Sequence, residues 1–150
     1  MKKRYICIGL GIIIISILAI IVVPKYLVKG DKKVKFSVLE TSEVPERIKE
    51  VLPQYLADER ALGCRVGDEI YVVVTRGEKQ TGGYTVEVEG ISEKKTKDDG
   101  IHLTVHVKFN DPDVNDIVMQ GFSYPFTIVK TNLNQMPEKI QLEVVYEEED

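Results

Sequence analysis

Between Ile101 and Phe109 every second residue is apolar (Ile101, Leu103, Val105, Val107 and Phe109), and His102, Thr104, His106 and Lys108 stand between them. Side chains alternate across a strand, so this period of two commits the stretch to a β-strand with one buried face. The pattern recurs at Tyr84, Val86 and Val88, at Tyr124, Phe126 and Ile128, and at Ile140, Leu142, Val144 and Tyr146. Glu69 to Thr75 is a run of branched and aromatic residues that suits a pleated surface. Five strands with short turns predict a mainly β fold, either an antiparallel barrel or a small sandwich. One helical segment precedes them. Ile48, Val51, Leu52, Tyr55 and Leu56 fall on one helical stripe, which Pro53 interrupts, so a kink or two short helices is expected. Val34 to Val38 alternates and reads as a first strand, with Thr41 and Ser42 as capping oxygens for the helix.

The segment from Tyr5 to Val23 has no charged side chain. At 1.5 Å per residue, roughly 19 residues span about 28 Å, close to the hydrocarbon thickness of a bilayer. The sequence therefore predicts a single N-terminal transmembrane helix at 5–23, after a short cytoplasmic n-region at 1–4. A basic juxtamembrane tether follows at 24–33, and a β-rich domain at 34–150 lies outside the cell. Cleavage of 5–23 as a signal peptide is the alternative and gives a secreted domain, but the run ends in Ile20-Ile21-Val22-Val23-Pro24 with only Ala19 small nearby, which favours retention.

Residues 1 to 30 hold five of the 20 basic residues and none of the 24 acidic ones, which leaves 15 basic against 24 acidic residues in the remainder. A domain this acidic is repelled by phosphate backbones, so nucleic acid is excluded as a partner. The two cysteines are Cys7, in the apolar segment, and Cys64, so no disulfide forms within the domain.

Candidate chemistry is sparse. Gly77 and Gly82 match the spacing of a phosphate loop, but Gly83 and Tyr84 stand where the lysine and hydroxyl are needed. His102 and His106 on a strand lie about 13 Å apart, too far for one metal ion. Asp111, Asp113, Asn115 and Asp116 lack the glycine and closing glutamate of a calcium loop. Cys64 has no histidine that the sequence brings to it. No catalytic residue, metal site or cofactor is assigned. Thr81-Gly82-Gly83-Tyr84 is the most distinctive stretch: two glycines that permit positive φ, then a tyrosine that opens a strand, read as a tight turn.

The segment from Ile70 to Ile91, with Gly77-Glu-Lys-Gln-Thr-Gly-Gly-Tyr84 inside it, resembles the C-terminal domain of the PrcB-type family of protease-complex proteins. The resemblance continues through Leu103-Thr-Val-His-Val107, Asp111-Pro112 and Ser123-Tyr-Pro-Phe-Thr-Ile-Val129, and covers about 64 to 130. Gln80 stands where proline is more usual in the family. The resemblance implies a bacterial envelope or secreted protein, associated in some members with a surface protease, and no catalytic residues.

The function expected is a membrane-anchored extracellular protein-binding module, an accessory or assembly component of a surface protease. Its partner is another envelope or secreted protein, contacted through Gln80, Thr81, Gly82, Gly83, Tyr84, Tyr124 and Pro125. Protease inhibition through the Thr81–Tyr84 loop is the alternative, by analogy with inhibitors that insert a glycine-and-tyrosine loop into an active-site cleft. A small-ligand sensor and an enzyme rank below both.

Overall fold

The computed structural model describes residues 31–146. The chain divides into two units, the second beginning at Lys32, and every described helix and strand belongs to this second unit. The n-region at 1–4, the membrane-spanning segment at 5–23 and the tether up to residue 30 lie outside the described residues. Among the described residues, no helix is long and apolar enough to cross a membrane.

The elements in chain order are β1 (Lys32–Lys33), β2 (Phe36–Val38), α1 (Glu46–Val51), a 3₁₀ turn (Leu52–Gln54), β3 (Glu59–Val66), β4 (Glu69–Arg76), β5 (Lys79–Thr81), β6 (Thr85–Lys95), β7 (Ile101–Asn110), β8 (Gln120–Ser123), β9 (Phe126–Thr131) and β10 (Lys139–Tyr146). They form two separate four-stranded sheets, β1-β6-β7-β10 and β2-β9-β4-β3, and a two-stranded ribbon, β5-β8. One core cluster joins Ile70, Val72 and Val74 of β4 and Val129 of β9 to Val88 and Ile91 of β6 and to the apolar face of β7. Two sheets that share a core without strand pairing between them make a sandwich, and the barrel expected as one option is not formed.

The helix covers the other face of the second sheet. Val44, Ile48 and Leu52 pack with Tyr71, Val73 and Ile128 in a second cluster. Central strand β4 is therefore buried on both sides, which explains its unbroken Ile70–Val74 run where β7, solvated on one face, alternates. Pro53 acts as expected: α1 ends at Val51 and the chain tightens into the 3₁₀ turn. Thr41 and Ser42 do not cap it. The helix starts after Pro45 without a side-chain cap bond, because Thr41 and Ser42 belong to an earlier turn in which Glu43 Oε2 accepts from the Glu40 N–H at 2.9 Å.

Further corrections concern the strands. The end of the expected tether, Lys32–Lys33, is already in the first sheet, pairing with Glu93 and Ser92, and Val34 to Val38 supplies only the three-residue β2. Glu59–Val66, which straddles Gly63, is a full strand paired with β4. The sheets are antiparallel except at one pair, since β10 runs parallel to β7 with Ile140 opposite Leu103. A hairpin enforces antiparallel pairing, whereas β10 enters after a crossover from β9 in the other sheet and is free of that constraint. Within β6, Val88 opposes Val107 while Gly90 opposes His106, so Glu89 is a bulged extra residue. The bulge shifts the inward phase from Val86 and Val88 to Ile91 and Glu93.

Candidate functional site

The expected site residues meet at one end of the sandwich. Lys79–Thr81 is strand β5 rather than part of a tight turn, and it pairs with β8 through Lys79–Ser123 and Thr81–Gln120, with an irregularity between them. Ser123 Oγ donates to the Thr81 carbonyl at 2.6 Å, and the Gly82 N–H donates to the Met119 carbonyl at 2.9 Å. Tyr124 Oη donates to Glu78 Oε2 at 2.7 Å, and the Arg76 N–H donates to the Pro125 carbonyl at 2.9 Å. Gln80, Thr81, Gly82, Gly83 and Tyr84 thus share a clamped arm with Tyr124 and Pro125. The hydrogen bond to Glu78 pushes the Tyr124 phenol above its ordinary value, because the carboxylate stabilises the protonated hydroxyl.

The need for glycine differs along the arm. Gly83 has φ 92°, and a Cβ there would lie 2.7 Å from Pro112 Cβ and 2.9 Å from Val118 Cγ1. The 111–119 loop is packed directly on its backbone. A Cβ at Gly82 would meet Met119 at 3.5 Å, an ordinary contact.

Arg76 holds this end together and was not among the residues expected from sequence. Its guanidinium donates to the Asn110 carbonyl at 2.7 Å and to the Thr85 carbonyl at 3.4 Å, and it pairs with Asp111. Its Cζ lies 4.8 Å from the Phe109 ring centroid and 5.0 Å from that of Tyr84. Lys79 approaches the Tyr84 ring as well, at 5.5 Å. Arg76 is only 4% exposed, so one cation ties the ends of β4, β6 and β7 to the start of the loop. An arginine that closes the apolar run of β4 was the available signal.

The loop and ribbon carry the second missed group. Val114, Ile117, Met119 and Phe122 are 91%, 104%, 80% and 69% exposed. Single exposed apolar residues are ordinary, but four within nine positions concentrate apolar side chains in solvent on one short segment. The sequence signal was apolar residues between β7 and Tyr124 with neither strand nor helix period. The acidic residues of the loop are put to structural use: the Asp113 N–H donates to Asp116 Oδ2 at 3.0 Å and closes the turn, while Asp111 pairs with Arg76. Among the described residues, no three His, Cys, Asp or Glu side chains gather to hold a metal ion.

The remaining candidates lie elsewhere. His102 faces Glu138 at 3.9 Å, and His106 Nδ1 meets Glu143 Oε2 at 2.8 Å, on the outer face of the first sheet. Ser92 Oγ is 3.4 Å from His106 Nε2. Hydroxyl, imidazole and carboxylate follow in the order of a nucleophile with its base, but the serine lies outside the roughly 2.6–3.2 Å over which a base takes a proton. Cys64 packs among Leu62 and Val66 on the helix side of the second sheet, whereas both histidines are on the first. Burial pushes its thiol above the ordinary value, which disfavours the nucleophilic thiolate.

The fold and this end define a β-sandwich domain with a clamped glycine-bearing arm and an exposed apolar loop. Residues 70–132, from β4 through β9, match the family model described as PrcB C-terminal, which supports a PrcB-type C-terminal domain over this stretch. No curated protein and no solved structure matches the chain.

Proposed function

We propose that the protein is a membrane-anchored, non-catalytic binding module outside the cell and serves as an accessory or assembly component of a surface protease. The observation that carries this reading is the set of exposed apolar side chains at the end where Gln80–Tyr84, Tyr124 and Pro125 converge. The match to PrcB C-terminal supports the association with a protease complex. The uncharged segment 5–23 supports a single-pass anchor with residues 1–4 inside, and cleavage of that segment would release the same domain in secreted form.

The scaffold reading is preferred to inhibition. Pro112 and Val118 sit against Gly83, and Met119 against Gly82, so the Thr81–Tyr84 segment enters a protease cleft only if the apolar loop goes with it. Affinity capture from native membranes with tagged full-length protein tests the role, beside a Thr81→Ala/Gly82→Ala variant and a Phe122→Asp variant. Capture of a surface protease or its assembly factor by the wild type, reduced in the variants, is expected. Absence of specific capture overturns the role. Two results would each contradict the non-catalytic part: ester or peptide turnover that disappears in Cys64→Ser, or labelling of Ser92 by a fluorophosphonate.

A further inference from the structure

We propose that the apolar loop docks into a pocket on its protein partner whose floor is apolar and whose rim carries lysine and arginine; this inference rests on the binding-module reading. Val114, Ile117, Met119 and Phe122 supply the surface to be buried. The backbone of the loop that carries them is anchored, because it packs on Gly83 through Pro112 and Val118 and is fastened to the arm by the bond from the Gly82 N–H to the Met119 carbonyl. A preformed loop loses little freedom on binding, which favours a specific pocket over a diffuse apolar contact.

Charge selects the occupant. From Asp111 to Pro125 the sequence has Asp111, Asp113 and Asp116 and no lysine or arginine. Glu78, beside Tyr124, adds a fourth carboxylate to this end. The Asp111 side chain remains 62% exposed despite its pairing with Arg76, and the nearest cation of the arm, Lys79, lies over the Tyr84 ring. An anionic lipid surface attracts polybasic segments and repels such a rim. A second copy of the chain would set the same carboxylates against each other, a juxtaposition that interfaces avoid. A cationic rim around an apolar pocket satisfies both sets of groups: the buried side chains supply affinity, and the carboxylates supply orientation and association rate.

The test places the photo-crosslinker p-benzoylphenylalanine at Ile117 in the full-length protein in its native membrane, with Gln80 and Thr104 as parallel positions and adducts identified by mass spectrometry. The Ile117 position should give a protein adduct whose cross-linked peptide is apolar and flanked by Lys or Arg. Its yield should fall roughly tenfold in Asp113→Lys, and likewise when salt is raised to about 0.5 M. Asp113 is chosen because its backbone, not its side chain, makes the turn contacts to Asp116. A lipid adduct, a self-dimer, no adduct, or a yield indifferent to charge reversal overturns the proposal. Adducts at Gln80 without any at Ile117 sink this pocket and leave the binding module standing, and adducts at neither position sink both.

Discussion

Replacing Arg76 by alanine should cost this domain far more than removing the charge it pairs with. The charge-assisted bond to the Asn110 carbonyl, at 2.7 Å, is worth about 1.5–3 kcal/mol. Contacts with the rings of Phe109 and Tyr84, at 4.8 and 5.0 Å, add about 0.5–2 kcal/mol. The Asp111 pair adds only ~0–1 kcal/mol, because that carboxylate is largely in water. Against these stands Arg76 Nε, buried without a hydrogen-bond partner, which costs about 1 kcal/mol. The balance is a loss of about 3 kcal/mol for Arg76→Ala. For a domain of about 120 residues, an unfolding entropy near 0.25 kcal/mol per degree turns this into a fall in Tm of ~12 °C. Asp111→Asn should lower it by less than about 4 °C. Thermal unfolding of the detergent-solubilised full-length protein, followed by near-UV circular dichroism, measures both. Equal falls for the two variants would locate the energy in the ion pair, and a fall under about 4 °C for Arg76→Ala would refute the clamp.

The two glycines of the arm should separate cleanly. Gly83→Ala combines a strained φ with contacts under 3.0 Å to Pro112 and Val118 and should destabilise by about 1–3 kcal/mol in urea unfolding, while Gly82→Ala should stay within about 1 kcal/mol of wild type. With Cys7→Ser as background, Cys64 should react with Ellman's reagent at pH 8 roughly tenfold more slowly than free cysteine. The same thiol should match free cysteine in denaturant, where the burial that raises it from 9.0 is gone. The raised Tyr124 phenol sets the sign of a pH effect. Its bond to Glu78 favours the protonated form, so its contribution is complete below the ordinary value of 10.0 and is lost as pH rises through the higher folded value. The stability advantage of wild type over Tyr124→Phe should therefore hold from about pH 7 to 9 and vanish on further titration upward; an advantage that persists in strong alkali refutes the assignment.

Much of the architecture was legible from the period of apolar residues, because a half-buried strand imposes alternation on its own sequence. Strand β7 shows this most plainly, with Ile101, Leu103, Val105, Val107 and Phe109 inward and the alternate residues His102, Thr104, His106 and Lys108 outward. The Pro53 break and the β4 run were readable for similarly local reasons. What the chain does between distant segments was not. Strand β3 alternates only at Leu62, Cys64 and Val66, which pack on the helix side; Gly63 interrupts the stretch, and its residues are mostly half-buried at a sheet edge, so the period is too short and broken to read. β5 and β8 are too short to show a period and exist only because the arm and the 120–123 segment pair with each other.

The site divides along the same line. The sequence by itself singled out Thr81-Gly82-Gly83-Tyr84 and Tyr124-Pro125 and the family they resemble, since unusual residue types are visible without coordinates. Only the tertiary structure decided what the second glycine is for, because Pro112 and Val118 reach it across about 30 residues of chain. It alone made Arg76 the clamp of that end and left Val114, Ile117, Met119 and Phe122 in solvent. Exposure and long-range contact are properties of the packed chain, and a residue's type and its neighbours in sequence do not contain them.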